Sequence, residues 1–129
     1  MNKEIKNWLL MVDYDLKSAN HMLKSGRYIY VIFMCHMALE KMLKALVCAQ
    51  TKKVPPRIHD LIRLMEIGKV QIPQEYLDFM GIINNVNVVT RYPEDFSELV
   101  SNYPKKVSAE YLEKTKGVIR CLKRDKRLK

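Results

Sequence analysis

Four ionisable residues lie along one apolar stretch of the chain, FMCHMALEKMLKALV at positions 33–47. His36, Glu40 and Lys44 follow one another at intervals of four, so on an α-helix they form a line along one face. Lys41 lies one residue around the helix from Glu40. Such a line can edge a groove and bind an anion such as phosphate. Spacing alone favours a simpler interpretation, a solvated Glu–Lys pair worth roughly 0.2–0.5 kcal/mol with a histidine nearby.

A second polar group occupies NNVNVVTRYPED at positions 84–95. Arg91 offers a planar fork suited to phosphate or carboxylate, and Tyr92 can stack on a nucleobase. The alternative is a helix that ends in Asn residues, which are poor helix formers, with Arg91 at its negative pole. The residues support the two interpretations equally, and both stay open.

Several other kinds of site lack their motifs in this sequence. No GxxxxGK[ST] or GxGxxG phosphate loop appears. The three histidines fall on separate predicted helices without an HExxH or CxxC motif, so we expect no metal and no cofactor. The three cysteines are widely spaced, which favours a reducing cytoplasm over a disulfide framework. Cys35 and Cys48 fall on helical patterns and are interpreted as small apolar core residues.

The formal net charge of +9 is concentrated near the C-terminal end of the sequence. Residues 114–129, KTKGVIRCLKRDKRLK, hold eight Lys or Arg residues and one acid, Asp125. We interpret residues 123–129 as a basic C-terminal tail. A basic tail can attract nucleic acid without reading its sequence, but no aromatic residue interleaves the cations as a stacking platform requires. A solvated, frayed helix end is the simpler interpretation.

The elements that must position these residues are predicted to be helices. Apolar residues recur at spacings of three and four along nearly the whole chain, and no segment alternates with period two. The predicted helices cover about residues 5–24, 28–49, 59–67, 73–92 and 108–125, and residues 92–106 are predicted to be a loop with one local turn. The fold class is therefore all-α, a single domain over residues 1–129 built as an up-and-down four-helix bundle with one extra short helix. No apolar run approaches the roughly 20 residues that cross a bilayer.

Four segments in a fixed order give the chain a resemblance to a known family. They are WLLMVDYDLKSA at 8–19, FMCHMALEKMLKAL at 33–46, HDLIRL at 59–64 and TRYPED at 90–95. Together they resemble the HEPN family, small helical domains of bacteria and archaea. The resemblance implies a homodimeric helical bundle in a prokaryotic cell. It also implies nucleotide binding and a small nucleotidyltransferase partner in a toxin–antitoxin-like pair.

The ribonuclease motif of that family is incomplete in this sequence. Many relatives carry Arg, four to six residues, then His, near the end of the fourth helix. Here the window after Arg91 holds Asp95, Phe96, Ser97 and Glu98, and no histidine. Without that histidine the motif supplies no general acid or base for cleaving an RNA phosphodiester, so the family's nuclease activity is not carried over.

We therefore expect a non-catalytic HEPN-domain protein that binds a nucleotidyltransferase and a nucleotide or RNA. No catalytic residue is assigned, and any enzymatic activity is expected to be that of a ribonuclease. The candidate nucleotide- or phosphate-binding residues are His36, Glu40, Lys41, Lys44, Arg91 and Tyr92. One alternative is a ribonuclease with a non-standard site, with His59 or His36 as the base and Lys44 or Arg91 stabilising charge. The other is a purely structural dimerisation module.

Overall fold

The computed structural model describes residues 2–129, without the side chains of Asn87, Val88, Val89 and Arg91. The described residues form helices and connecting loops, with no strand, so the predicted all-α class is confirmed. The elements are α1 (Lys3–Lys24), α2 (Tyr28–Thr51), α3 (Leu61–Ile67), α4 (Gln74–Arg91), α5 (Phe96–Asn102), α6 (Lys105–Leu122) and a final 3₁₀ turn (Lys126–Leu128). None of these helices is both long and apolar enough to cross a membrane.

The first two helices form an antiparallel hairpin. Asn2 caps α1, because its Oδ1 accepts the N–H of Ile5 at 2.8 Å. The chain reverses at Gly26, whose φ of 81° lies in the left-handed region that glycine adopts without strain. The backbone N–H of Arg27 then donates to the carbonyl of Met22, and α2 begins at the next residue.

Helix α2 is the centre of the bundle. It packs against α1, α3, α4, α6 and the final 3₁₀ turn. Its wide apolar stripe is buried because neighbours cover it on several sides. The stripe residues that are fully or almost fully buried are Val31, Ile32, Cys35, Ala38, Leu39, Met42, Leu43, Leu46, Val47 and Ala49.

The region after α4 is more helical than the sequence patterns indicate. Instead of a loop with one local turn, residues 92–106 include the seven-residue helix α5 and the start of α6 at Lys105. The carboxylate of Asp95 accepts the backbone N–H of Glu98 at 3.1 Å, which is the capping pattern that starts a helix. The described residues therefore form two short helices, α3 and α5, rather than the single one expected.

The basic C-terminal segment is docked on the bundle. Leu128 is 2% exposed, and Arg127 Nη1 donates to Gln50 Oε1 at 2.8 Å and to the Gly68 carbonyl at 2.6 Å. Asp125 accepts from the same guanidinium at 2.9 Å. The expectation of a frayed terminus is therefore wrong for Arg127 and Leu128, since this guanidinium joins the ends of α2 and α3.

Candidate functional site

Three charged or polar side chains form a network between α2 and the start of α3. Lys44 Nζ donates to Glu40 Oε2 at 3.0 Å, and His59 Nδ1 is 2.9 Å from Glu40 Oε1. The side chains of Lys44 and Glu40 are 9% and 11% exposed, whereas that of His59 is 58% exposed. The network therefore runs from the interior to the surface, and His59 is its solvent-facing member.

His59 is held in place by the residue that follows it. Asp60 is the N-cap of α3, and its Oδ1 accepts the backbone N–H groups of Ile62 and Arg63. Asn84 on α4 fixes the same turn, because its Nδ2 donates to Asp60 Oδ1 at 3.1 Å and its Oδ1 accepts the N–H of Leu61 at 2.9 Å. The imidazole therefore projects from a turn anchored to α4.

His36 lies behind Glu40 on the same face of α2. Its Nδ1 is 3.9 Å from Glu40 Oε1, and the residue is only 1% exposed. A side chain this deeply buried lies out of reach of a ligand at the surface. The predicted line His36–Glu40–Lys44 therefore exists, and it is a buried line rather than a solvated helix face.

Lys41 is directed away from this network. Its Nζ donates to Asp15 Oδ2 of α1 at 2.7 Å, and the Asp15 side chain is only 8% exposed. One residue rotates a helix by about 100°, which takes Lys41 into the contact between α1 and α2. The structure therefore separates Lys41 from Glu40 and Lys44.

Trp8 forms the wall of the network on the α1 side. Lys44 Nζ lies 5.8 Å from the centroid of the indole ring, which is within the range of a cation–π interaction. The indole and Glu40 therefore both contact the Lys44 ammonium. Sequence patterns place Trp8 in the apolar stripe of α1 and give no indication of this second contact.

The corner formed by Arg91 and Tyr92 lies at the end of α4. The side chain of Arg91 falls outside the described residues, so its predicted role stays a prediction. Tyr92 is 85% exposed. It lines an open cleft of about 450 Å³, whose other described lining residues are Pro93, Glu94, Asp95, Glu98, Leu99 and Asn102. None of the network residues lines this cleft.

The first two cysteines belong to the core. Cys35 is completely buried, and desolvation raises the pKa of its thiol to about 12. Cys48 is 1% exposed, and its pKa is raised by burial and by its contact with the Glu4 carboxylate. Both thiols are therefore held in the neutral form, as the apolar interpretation predicted.

Comparison with known proteins agrees with the fold and decides the family. The HEPN domain family model matches residues 5–125. The chain belongs to the HEPN family. Two solved structures have the same fold: TT1696 from Thermus thermophilus and ST0689, an archaeal HEPN homologue. For TT1696 the TM-score is 0.79 and the identity 20%, over 95% of this chain and 98% of that one. For ST0689 the values are 0.74 and 18%, over 95% and 97%. No curated protein matches the chain.

The sequence suggests His59 only as a base of the alternative ribonuclease, and not as one of the candidate nucleotide-binding residues. The described structure places it in direct contact with Glu40, closer than His36. The signal that could have indicated this is the HDL triplet at 59–61. Asp60 caps the following helix, so the backbone next to His59 is anchored. Nothing in the spacing shows that this loop lies against α2.

Proposed function

We propose that this HEPN protein is a cytoplasmic, homodimeric, non-catalytic subunit that binds a nucleotide and acts with a small nucleotidyltransferase in a toxin–antitoxin-like pair. The observation that carries the proposal is the buried Lys44–Glu40 pair, which reaches the surface at His59. The three free cysteines support a reducing compartment.

The burial of this pair is difficult to explain by stability alone. Glu40 and Lys44 are 8% and 7% exposed, so each has lost most of its hydration. The attraction between two buried charges often fails to recover the cost of dehydrating them, and apolar residues of similar volume would stabilise the helix at least as well. A role in recognition explains why both charges lie here.

The network offers an anion a defined point of contact. The Glu40 carboxylate accepts from Nδ1–H of His59, and in the imidazolium form of His59 the Nε2–H can donate to a ligand. Lys44 supplies a positive charge within the same network, and Asn84 fixes the turn that carries the imidazole. A phosphate group is the ligand that such an arrangement favours, because it accepts hydrogen bonds and is stabilised by nearby positive charge.

Isothermal titration calorimetry with AMP and ATP tests the nucleotide part of this proposal. We expect binding that weakens about tenfold in His59→Asn, the loss expected for one charge-assisted hydrogen bond. Lys17→Gln is the control, because Lys17 is exposed on α1. Absence of binding at millimolar nucleotide, or equal losses in the two variants, would reject a site at His59.

The partner and the dimer have separate tests. A tagged protein recovered from its own host should retain a small nucleotidyltransferase, and light scattering should give twice the mass of the chain, 15.2 kDa. Exposed apolar side chains on α1 support self-association, with Leu10 59% and Tyr14 74% exposed. A monomer that retains no nucleotidyltransferase would contradict this part of the proposal.

The Glu40–His59 contact also favours a second candidate function, a ribonuclease with a non-standard site. A carboxylate that orients Nδ1–H prepares Nε2 to take a proton from a ribose 2′-hydroxyl. The 2′-oxygen would then attack phosphorus, and the bond to the 5′-oxygen would break. That leaving oxygen needs a proton, and His36 is too buried to supply one. For this reason we favour binding without catalysis.

An RNA cleavage assay distinguishes the two functions. Single-stranded RNA should stay intact with the purified protein. Cleavage that is abolished in His59→Asn would replace the binding proposal with the ribonuclease. Cleavage that survives both His59→Asn and His36→Ala would exclude both histidines as the base.

A further inference from the structure

A small cleft lies next to the network, between the first turns of α1 and the loop that precedes α3. Its volume is about 230 Å³. It is lined by Glu4, Asn7, Trp8, Val54 and Pro55. We call it the Trp8 cleft. None of its described lining residues belongs to the acidic cleft at Tyr92.

The Trp8 cleft has one aromatic wall, one aliphatic wall and two polar groups. Glu4, Asn7 and Trp8 are separated by three and four residues on α1 and share a face of that helix. Pro55 is buried and Val54 is 78% exposed, so the loop places one anchored and one open apolar side chain opposite the helix. An indole next to a rigid proline is a suitable surface for a planar ring.

Trp8 connects this cleft to the proposed phosphate contact. Its ring lies 5.8 Å from the ammonium of Lys44, and Lys44 bonds to the Glu40 carboxylate that holds His59. The loop that supplies Val54 and Pro55 continues directly to His59. The same helix and the same loop therefore form both the cleft and the network.

We propose that the Trp8 cleft binds the base of the nucleotide and selects a base with an exocyclic amino group, adenine in particular. This inference rests on the proposed function. The indole stacks on the base. The Asn7 amide matches the paired donor and acceptor of adenine N6 and N7. The Glu4 carboxylate only accepts hydrogen bonds, so it favours an amino group at the edge of the base.

The same polar groups disfavour uracil. Uracil presents a carbonyl oxygen at the position where adenine and cytosine carry an amino group. A carbonyl oxygen against the Glu4 carboxylate brings two acceptors together and leaves both without a donor. The cleft therefore discriminates by hydrogen bonding, while stacking on Trp8 contributes to the binding of every base.

The single tryptophan of the chain provides a direct readout. Titration with AMP should quench Trp8 fluorescence along a saturable curve that matches the calorimetric one, and UMP should bind about tenfold more weakly. Asn7→Ala should weaken AMP binding about tenfold with little effect on UMP. Glu4→Gln adds a hydrogen-bond donor, so the ratio of the AMP affinity to the UMP affinity should fall.

Asn20→Ala is the matched control, since Asn20 is a partly exposed asparagine elsewhere on α1. Circular dichroism confirms that each variant is folded. Equal affinities for AMP and UMP in the unmodified protein, or equal losses in Asn7→Ala and Asn20→Ala, would overturn the proposal for the base.

The outcomes separate this inference from the function on which it rests. Suppose that AMP binds and that His59→Asn weakens its binding, but that AMP does not change Trp8 fluorescence and Asn7→Ala does not change the AMP affinity. The base then lies elsewhere, and the proposed function stands. Adenosine, which has no phosphate, provides the converse test. If adenosine quenches Trp8 in an Asn7-dependent way while His59→Asn leaves AMP binding unchanged, the cleft binds the base and the phosphate contact at His59 is wrong.

Discussion

The buried pair of α2 leads to a specific prediction for protein stability. Either charge can be replaced alone, by Glu40→Leu or Lys44→Met, or both can be replaced together. Each single change leaves one ionisable group in a site where the native side chains are only 9% and 11% exposed. The double change fills that site with apolar side chains of similar volume.

The magnitudes follow from this burial. Removal of one partner of a buried pair costs about 3–5 kcal/mol, because the other charge loses its compensation. At about 3 °C per kcal/mol for a chain of this length, each single change should lower the melting temperature by about 9–15 °C. The double variant should recover most of that loss, since a dry apolar contact often matches a buried ion pair.

Urea unfolding followed by circular dichroism provides the measurement, with the m-value as the check that the transition stays two-state. The exposed pair of α3 is the control. Arg63 Nη1 lies 3.1 Å from Glu66 Oε2, and both side chains are 61% exposed. Arg63→Met should therefore cost less than about 1 kcal/mol. The double α2 variant should fold but fail to bind AMP.

One result would refute this reasoning. If Glu40→Leu costs no more than Arg63→Met, the Glu40–Lys44 pair is hydrated in solution. The pair would then need no explanation beyond an ordinary helix contact, and the argument from burial to a binding role would fail. A double variant that is folded and still binds AMP would separate stability from function and remove Glu40 from the site.

Three further predictions concern the rest of the bundle. Asn84→Ala should cost about 1 kcal/mol, because the start of α3 loses its acceptor, and it should weaken AMP binding in calorimetry by loosening the His59 turn. Arg127 lowers the pKa of Asp125. The stability from this contact should therefore be complete above the ordinary aspartate pKa and be lost as the pH falls below about 4. In Arg127→Gln, unfolding measured against pH should not show this loss of stability. Native iodoacetamide labelling followed by mass spectrometry should leave Cys35 unmodified, since burial raises its pKa to about 12.

Helical periodicity predicted most of the fold for a physical reason. The apolar stripe of α2 repeats every three or four residues over several turns, and a pattern of that length is incompatible with a strand. Helix α5 was not predicted, because a segment of seven residues between two prolines is too short to show helical periodicity. The useful signal was local, the Asp95–Glu98 capping spacing.

Spacing predicted the members of the α2 line but not their environment. A separation of four residues places Glu40 beside Lys44 on any helix, whether that face is wet or dry. Burial depends on the elements that cover the face, and here these are Trp8 of α1 and the loop that ends at His59. For the same reason Lys41 could not be assigned, since its partner Asp15 lies 26 residues away in sequence.

The described part of the Tyr92 corner does not favour an anion. Glu94, Asp95 and Glu98 line the cleft beside Tyr92, and three carboxylates in one open cleft repel a phosphate. No residue of the Lys44–Glu40–His59 network lines that cleft, so the two regions do not share one described groove. The nucleotide proposal therefore depends on His59 and the Trp8 cleft. Measurements on those residues, rather than on Tyr92, test it.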